Sequence, residues 1–150
     1  MTTPVDVASY WRDGAVDAAA LRSPATDEML NMWEALNGCA LPQFLRECLS
    51  FSNGFLDAYS DKLGFKMLSL EEIVPVSQYA GGVWKFDGAS DFFVFMDYMD
   101  ASWAYAFEAT QNKPEKVYAT GFATGGVKLI APKTEVFFSM YIQNDSALYP

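Results

Sequence analysis

Histidine is absent from this chain of 150 residues. Its absence excludes Ser-His-Asp and Cys-His nucleophilic sites. It also removes the one side chain that titrates near neutrality without special tuning. Cysteine is scarce: Cys39 and Cys48 are the only two. Two cysteines without histidine cannot supply the four soft ligands of a usual zinc site. Their spacing fits neither a thioredoxin-type C-x-x-C nor a zinc pair, so they read as reduced thiols, with Cys48 a small core hydrophobe. Chemistry is thereby confined to carboxylates, Tyr, Lys or an oxygen-ligated metal. The chain is read as a binding protein and not an enzyme, with no cofactor and no metal. No apolar run approaches the ~20 residues that cross a bilayer. Met1 to Asp6 has neither a basic start nor an apolar core, so it is not a secretion signal. The expected compartment is the cytoplasm.

Positive charge is also sparse. Ten Lys and Arg against nineteen Asp and Glu leave a net charge of −9. Such a balance repels nucleic acid and anionic membrane surfaces. It suits a basic protein partner, or serves solubility alone. Between Phe86 and Lys113 there is no lysine or arginine, while Asp87, Asp91, Asp97, Asp100 and Glu108 fall in that window. Calcium or magnesium would use such carboxylates, but the alternating spacing of a calcium loop is missing, and turns favour aspartate for backbone reasons. Two readings stay open: a solvated acidic rim, or an electrostatic lure for a basic partner. The five carboxylates are the candidate partner-binding residues. Tyr98 and Trp103 in the same window are core residues or exposed anchors.

What the chain has in quantity is apolar material: 51% hydrophobic and 16% aromatic residues. That suffices for one core without metals or disulfides. Residues 1–22 read as an arm or a loosely docked short helix, and 23–150 as a single domain. Ser23-Pro24 opens a helix by serine cap and first-turn proline. Met29, Leu30, Trp33 and Leu36 then form one apolar stripe, ended by Asn37-Gly38. Pro42 opens a second helix burying Phe44, Leu45, Cys48 and Leu49, with Arg46 and Glu47 facing water and Asn53-Gly54 as its stop. Phe65 to Leu68 reads as a short strand. Ser69-Leu70-Glu71-Glu72 has the form of a capping box and predicts a helix to about Tyr79, with Pro75 ending or distorting it.

The second half changes period. Val83–Phe86, Phe92–Met96 and Trp103–Phe107 read as strands joined by turns at Asp87-Gly88 and Met99-Asp100-Ala101. Val117–Thr120 and Val127–Ile130 read as further strands. Gly121-Phe122-Ala123-Thr124-Gly125-Gly126-Val127-Lys128 is superficially like a phosphate-binding loop. The lysine does not follow the last glycine, no Ser or Thr follows the lysine, and no helix comes next, so it reads as a turn between strands. Val136, Phe137, Phe138 and Tyr141 suit either a strand or a helix capped at Thr134, which periodicity alone does not separate. The expected fold is α+β, with an N-terminal helical hairpin and a C-terminal helix on a mainly antiparallel sheet of five to six strands.

Trp33-Glu34-Ala35-Leu36-Asn37-Gly38, Leu41-Pro42, Leu45, Leu49 and Ser52-Asn53-Gly54 together resemble the opening of the SUKH superfamily. This group contains the yeast cell-wall-assembly regulator domain and many bacterial immunity proteins. Leu68-Ser69-Leu70-Glu71-Glu72-Ile73, Phe95 to Met99 and Ser102 to Ala106 resemble its later landmarks. Ile130-Ala131 with Thr134-Glu135-Val136-Phe137 resembles its closing helix, which favours helix there. The resemblance implies a mixed sheet flanked by helices. It also implies a protein that neutralises a cognate toxin, often a nuclease, by occluding its basic surface. A regulatory interaction scaffold without a toxin partner is the alternative, followed by a small-molecule-binding domain, which a deep cleft holding convergent carboxylates would favour.

Overall fold

Among the described residues, three α-helices come first, five strands follow, and a fourth α-helix comes after the last strand. The computed structural model describes residues 1–109, 114–121 and 126–150. Helix α1 (Pro4–Tyr10) has a reciprocal Thr3–Asp6 capping box. α2 (Asp27–Asn37) is capped by the Thr26 hydroxyl, which accepts from the Met29 amide at 3.2 Å. α3 (Gln43–Leu49) and α4 (Thr134–Gln143) complete the helical set. β1 (Phe65–Met67), β2 (Phe92–Tyr98), β3 (Trp103–Glu108), β4 (Val117–Thr120) and β5 (Val127–Ala131) form one sheet in chain order. Every ladder is antiparallel. The α+β fold is thus the one expected, but the parallel pairing of a mixed sheet is absent among the described residues.

The core lies between the helices and one sheet face. Strand alternation points Tyr105 and Phe107 to that face, where Tyr105 meets Phe137, Phe95 meets Phe137 and Phe138, and Phe65 meets Tyr141. Trp33 of α2 packs on Phe93 and Phe107 and donates its indole N–H to the Ile73 carbonyl at 3.3 Å. Glu34 ties α2 to α3, accepting from the Leu41 amide at 2.7 Å and pairing with Arg46 at 3.0 Å. The row Lys66, Asp97, Ala104 and Thr120 runs across the opposite face. The long connection 77–91 covers this second face. From it Tyr79 reaches Asp97, Phe86 packs beside Phe92, and Trp84 lies so close to Gly121 that a Cβ there would sit 2.7 Å from the ring.

Several local expectations give way to tertiary contacts. The helix expected over Leu70–Tyr79 is one turn only. The Glu72 carboxylate does reach back to the Ser69 amide at 3.0 Å. The chain then extends, and Val74 and Val76 bond β2 through Val94 and Phe92. Because Leu68 also bonds Phe95, residues 65–76 occupy the whole edge of β2 around one bulged turn. That edge is thus closed to the strand expected at Val83–Phe86, which is irregular instead. α2 starts at Asp27, not after Ser23, since residues 22–25 pair with the chain leaving α3 (Arg22 to Gly54, Ala25 to Leu49). Of its expected stripe Leu30 and Trp33 are buried, while Met29 and Leu36 are exposed. Arg46, expected in water, is held half-buried by Glu34.

The N-terminal segment is not a loose arm. Val7 and Trp11 are fully buried, and the Trp11 indole donates to the Tyr141 hydroxyl at 3.1 Å. The centre of the expected turn between β4 and β5, residues 122–125, lies outside the described residues, as does Lys113 at the end of the lysine-free window.

Candidate functional site

The five candidate carboxylates do not form one patch. Asp91 and Asp97 stand at opposite ends of β2, six residues or about 20 Å apart at the usual strand rise. Glu108 lies opposite Phe92, so it joins Asp91. Asp87 is one turn earlier, at the same end. Asp87 and Asp91 are exposed and Glu108 is half-buried. A shallow hollow of about 430 Å³ beside them is lined by Trp84, Lys85, Phe86 and Asp87. Lys85 is therefore the cation nearest in sequence to this group.

Asp97 and Asp100 belong to the other end. Asp97 was expected at the surface, yet it is 5% exposed. Strand alternation puts it on the face covered by connection 77–91, where the Tyr79 hydroxyl donates to it. It also accepts from the Ala101 amide at 2.8 Å, closing the tight turn to β3. Burial and the neighbouring Asp97 carboxylate push the Tyr79 hydroxyl far above its ordinary range, so it remains a donor at neutral pH. Met99, Asp100 and Ala101 all have positive φ, which holds Asp100 at the tip, exposed. Tyr98 and Trp103 flank this turn. They are half-buried, stacked on each other at 4.3 Å, with Tyr149 edge-on. Their rings serve the packing of the C-terminal tail and are not free anchors.

A cleft of about 630 Å³ opens beside Asp97 and Asp100, within the range of ligand sites. Tyr59, Lys66, Glu72, Tyr79 and Met99 also line it. Lys66 stands opposite Asp97 across the β1–β2 ladder. Its ammonium is held by Glu72 at 3.3 Å and Asp57 at 3.9 Å. Lining carboxylates thus number three, against one lysine already paired. Sequence reasoning missed Lys66, Glu72 and Tyr79 as members of this group. The one local signal was the Ser69–Glu72 box, which points to a helix cap and not to a cleft wall. No cluster of His, Cys, Asp or Glu suited to a metal occurs among the described residues.

One further buried carboxylate lies outside the cleft. Asp61 accepts from the amides of Leu63 and Phe65, both at 2.9 Å, and from the Tyr141 hydroxyl at 2.6 Å. Burial raises its pKa although these donors oppose the shift. Its bonds are satisfied, and its work is to join α4 to the turn that leads into β1. Cys48 is buried and its thiol pushed far upward by desolvation, so it is unreactive. No helix among the described residues is long and apolar enough to cross a membrane. Comparison with protein-family models and with curated proteins finds no match to this chain.

Proposed function

We propose that this chain is an immunity-type binding protein that docks on the basic surface of a cognate toxin and occludes it. The observation that carries the reading is the charge imbalance at both ends of the β2–β3 pair. Among the described residues, Asp87, Asp91 and Glu108 stand at one end with Lys85 beside Asp87 and Lys116 one step past the β3–β4 ladder from Glu108. Glu72, Asp97 and Asp100 face the already paired Lys66 at the other. A nuclease toxin must be basic to grip phosphate, and an acidic face competes for that surface and speeds encounter. The resemblance to the SUKH superfamily supports the same reading. Coexpression with the toxin encoded beside it rescues growth and yields a complex that weakens as salt rises. Absence of both rescue and co-purification overturns the proposal. Affinity capture that returns regulatory or wall-synthesis proteins instead favours the scaffold alternative.

A second reading has a specific observation behind it: a cleft lined by Glu72, Asp97 and Asp100 suits a small cationic ligand. A stable small molecule that co-purifies with the chain and is lost on replacing Asp100 would favour it over immunity.

A further inference from the structure

The cleft beside Asp97 has a composition that selects among cations, and it rests on the reading of a basic partner. We infer that it receives an arginine side chain presented by that partner. Three features argue for this. First, acceptor capacity is unspent. Asp100 accepts no hydrogen bond among the described residues. Asp97, with about four lone-pair sites on its carboxylate, takes only Tyr79 and Ala101. Second, the single lining cation is neutralised by Glu72 and Asp57, so it repels an incoming charge less than a free ammonium would. Third, the lining also includes Tyr59, Tyr79, Leu68 and Met99, residues that offer aromatic and apolar surface beside the carboxylates. A planar guanidinium stacks on aromatic faces and forks onto paired carboxylate oxygens, whereas an ammonium is a strongly hydrated point charge. A divalent metal is a poor occupant, since the described acidic groups do not converge at ligand distance.

The experiment needs no partner. The full chain is labelled at its methionine methyl groups and titrated with acetyl-arginine amide, with acetyl-lysine amide, and with acetyl-citrulline amide, the neutral isostere. The Met99 methyl signal is expected to shift saturably with the arginine probe at millimolar concentration, at least 5-fold more tightly than with lysine, and not with citrulline. Asp100→Asn, an exposed turn residue whose side chain supports no internal bond, is expected to weaken the arginine probe at least 3-fold without changing the melting temperature. Equal responses to arginine and citrulline overturn the inference, as does an unshifted Met99 or an unaffected Asp100→Asn. Stronger binding of the lysine probe overturns the guanidinium preference. A silent titration beside a successful toxin rescue removes the arginine cleft and leaves the immunity reading. A positive titration with no rescue does the reverse.

Discussion

Asp61 shows how one side chain can tie a helix to a strand and set a pH dependence. Its carboxyl is raised above its ordinary value of 3.8 by burial. The folded chain therefore binds more protons than the unfolded one between that value and the folded pKa. Stability from this group is largest below the window and falls as pH rises through it. Tyr141→Phe removes the donor at 2.6 Å and leaves the Trp11 indole unpaired. The cost is expected to be about 2–3 kcal/mol at pH 7 and smaller at pH 3, below the ordinary value, where the carboxyl is protonated. Urea unfolding at both values checks it, and Asp61→Asn should remove the difference. Gly54 makes a second residue-level case. Its φ is +78°, and a Cβ there would lie 2.6 Å from the Leu68 carbonyl carbon and the Ser69 nitrogen, both backbone. Gly54→Ala is expected to cost about 2–4 kcal/mol in the same assay, the left-handed penalty and the clash together.

Among the elements, the β2–β3 turn carries visible strain. Three consecutive non-glycine residues, Met99, Asp100 and Ala101, have φ between +48° and +66°. Asp97 holds the turn by accepting from the Ala101 amide. Ala101→Gly relieves the left-handed cost at a position whose side chain does not line the cleft. A gain of about 0.5–1 kcal/mol is expected, seen as a rise of about 1–4 °C in melting temperature. The edge of β2 teaches a complementary point. Ser69-Leu70-Glu71-Glu72 keeps its cap bond, yet no helix follows, because Val74 and Val76 gain ladder bonds to β2. Pro75 lacks a donor and suits a sheet edge better than a helix interior. Once that edge is taken, Trp84 and Phe86 spend their apolar surface as a cover over the second face.

For the whole molecule, the first helix is part of the core. Removing residues 1–13 deletes α1 and Trp11, exposes Phe55, which Trp11 packs against edge-on, and leaves Tyr141 without its indole partner. Loss of a buried tryptophan alone costs about 3–5 kcal/mol, a large part of the stability of a domain this size. The truncated chain is expected to lose a cooperative thermal transition, or to melt more than 10 °C lower, as followed by circular dichroism. The net charge of −9 is the other global property. Part of it is gathered at two ends of the β2–β3 pair, about 20 Å of strand apart. If the proposed basic partner is identified, Asp87→Asn with Asp91→Asn should reduce the salt dependence of its association without touching the cleft.

Local chemistry in the sequence determined the element types that answer to short-range rules. The helices around Trp33 and Leu45, the four strands from Phe92 to Ala131 and the Asp87 and Met99 turns were all legible there. So was the absence of histidine chemistry. Tertiary structure alone decided which segment takes the free edge of β2, that Asp97 turns inward to Tyr79, and that the acidic residues separate into two groups. Each of these is a competition among distant segments for one edge or one face. Spacing along the chain records the competitors, but only packing in three dimensions records which of them lowers the free energy most.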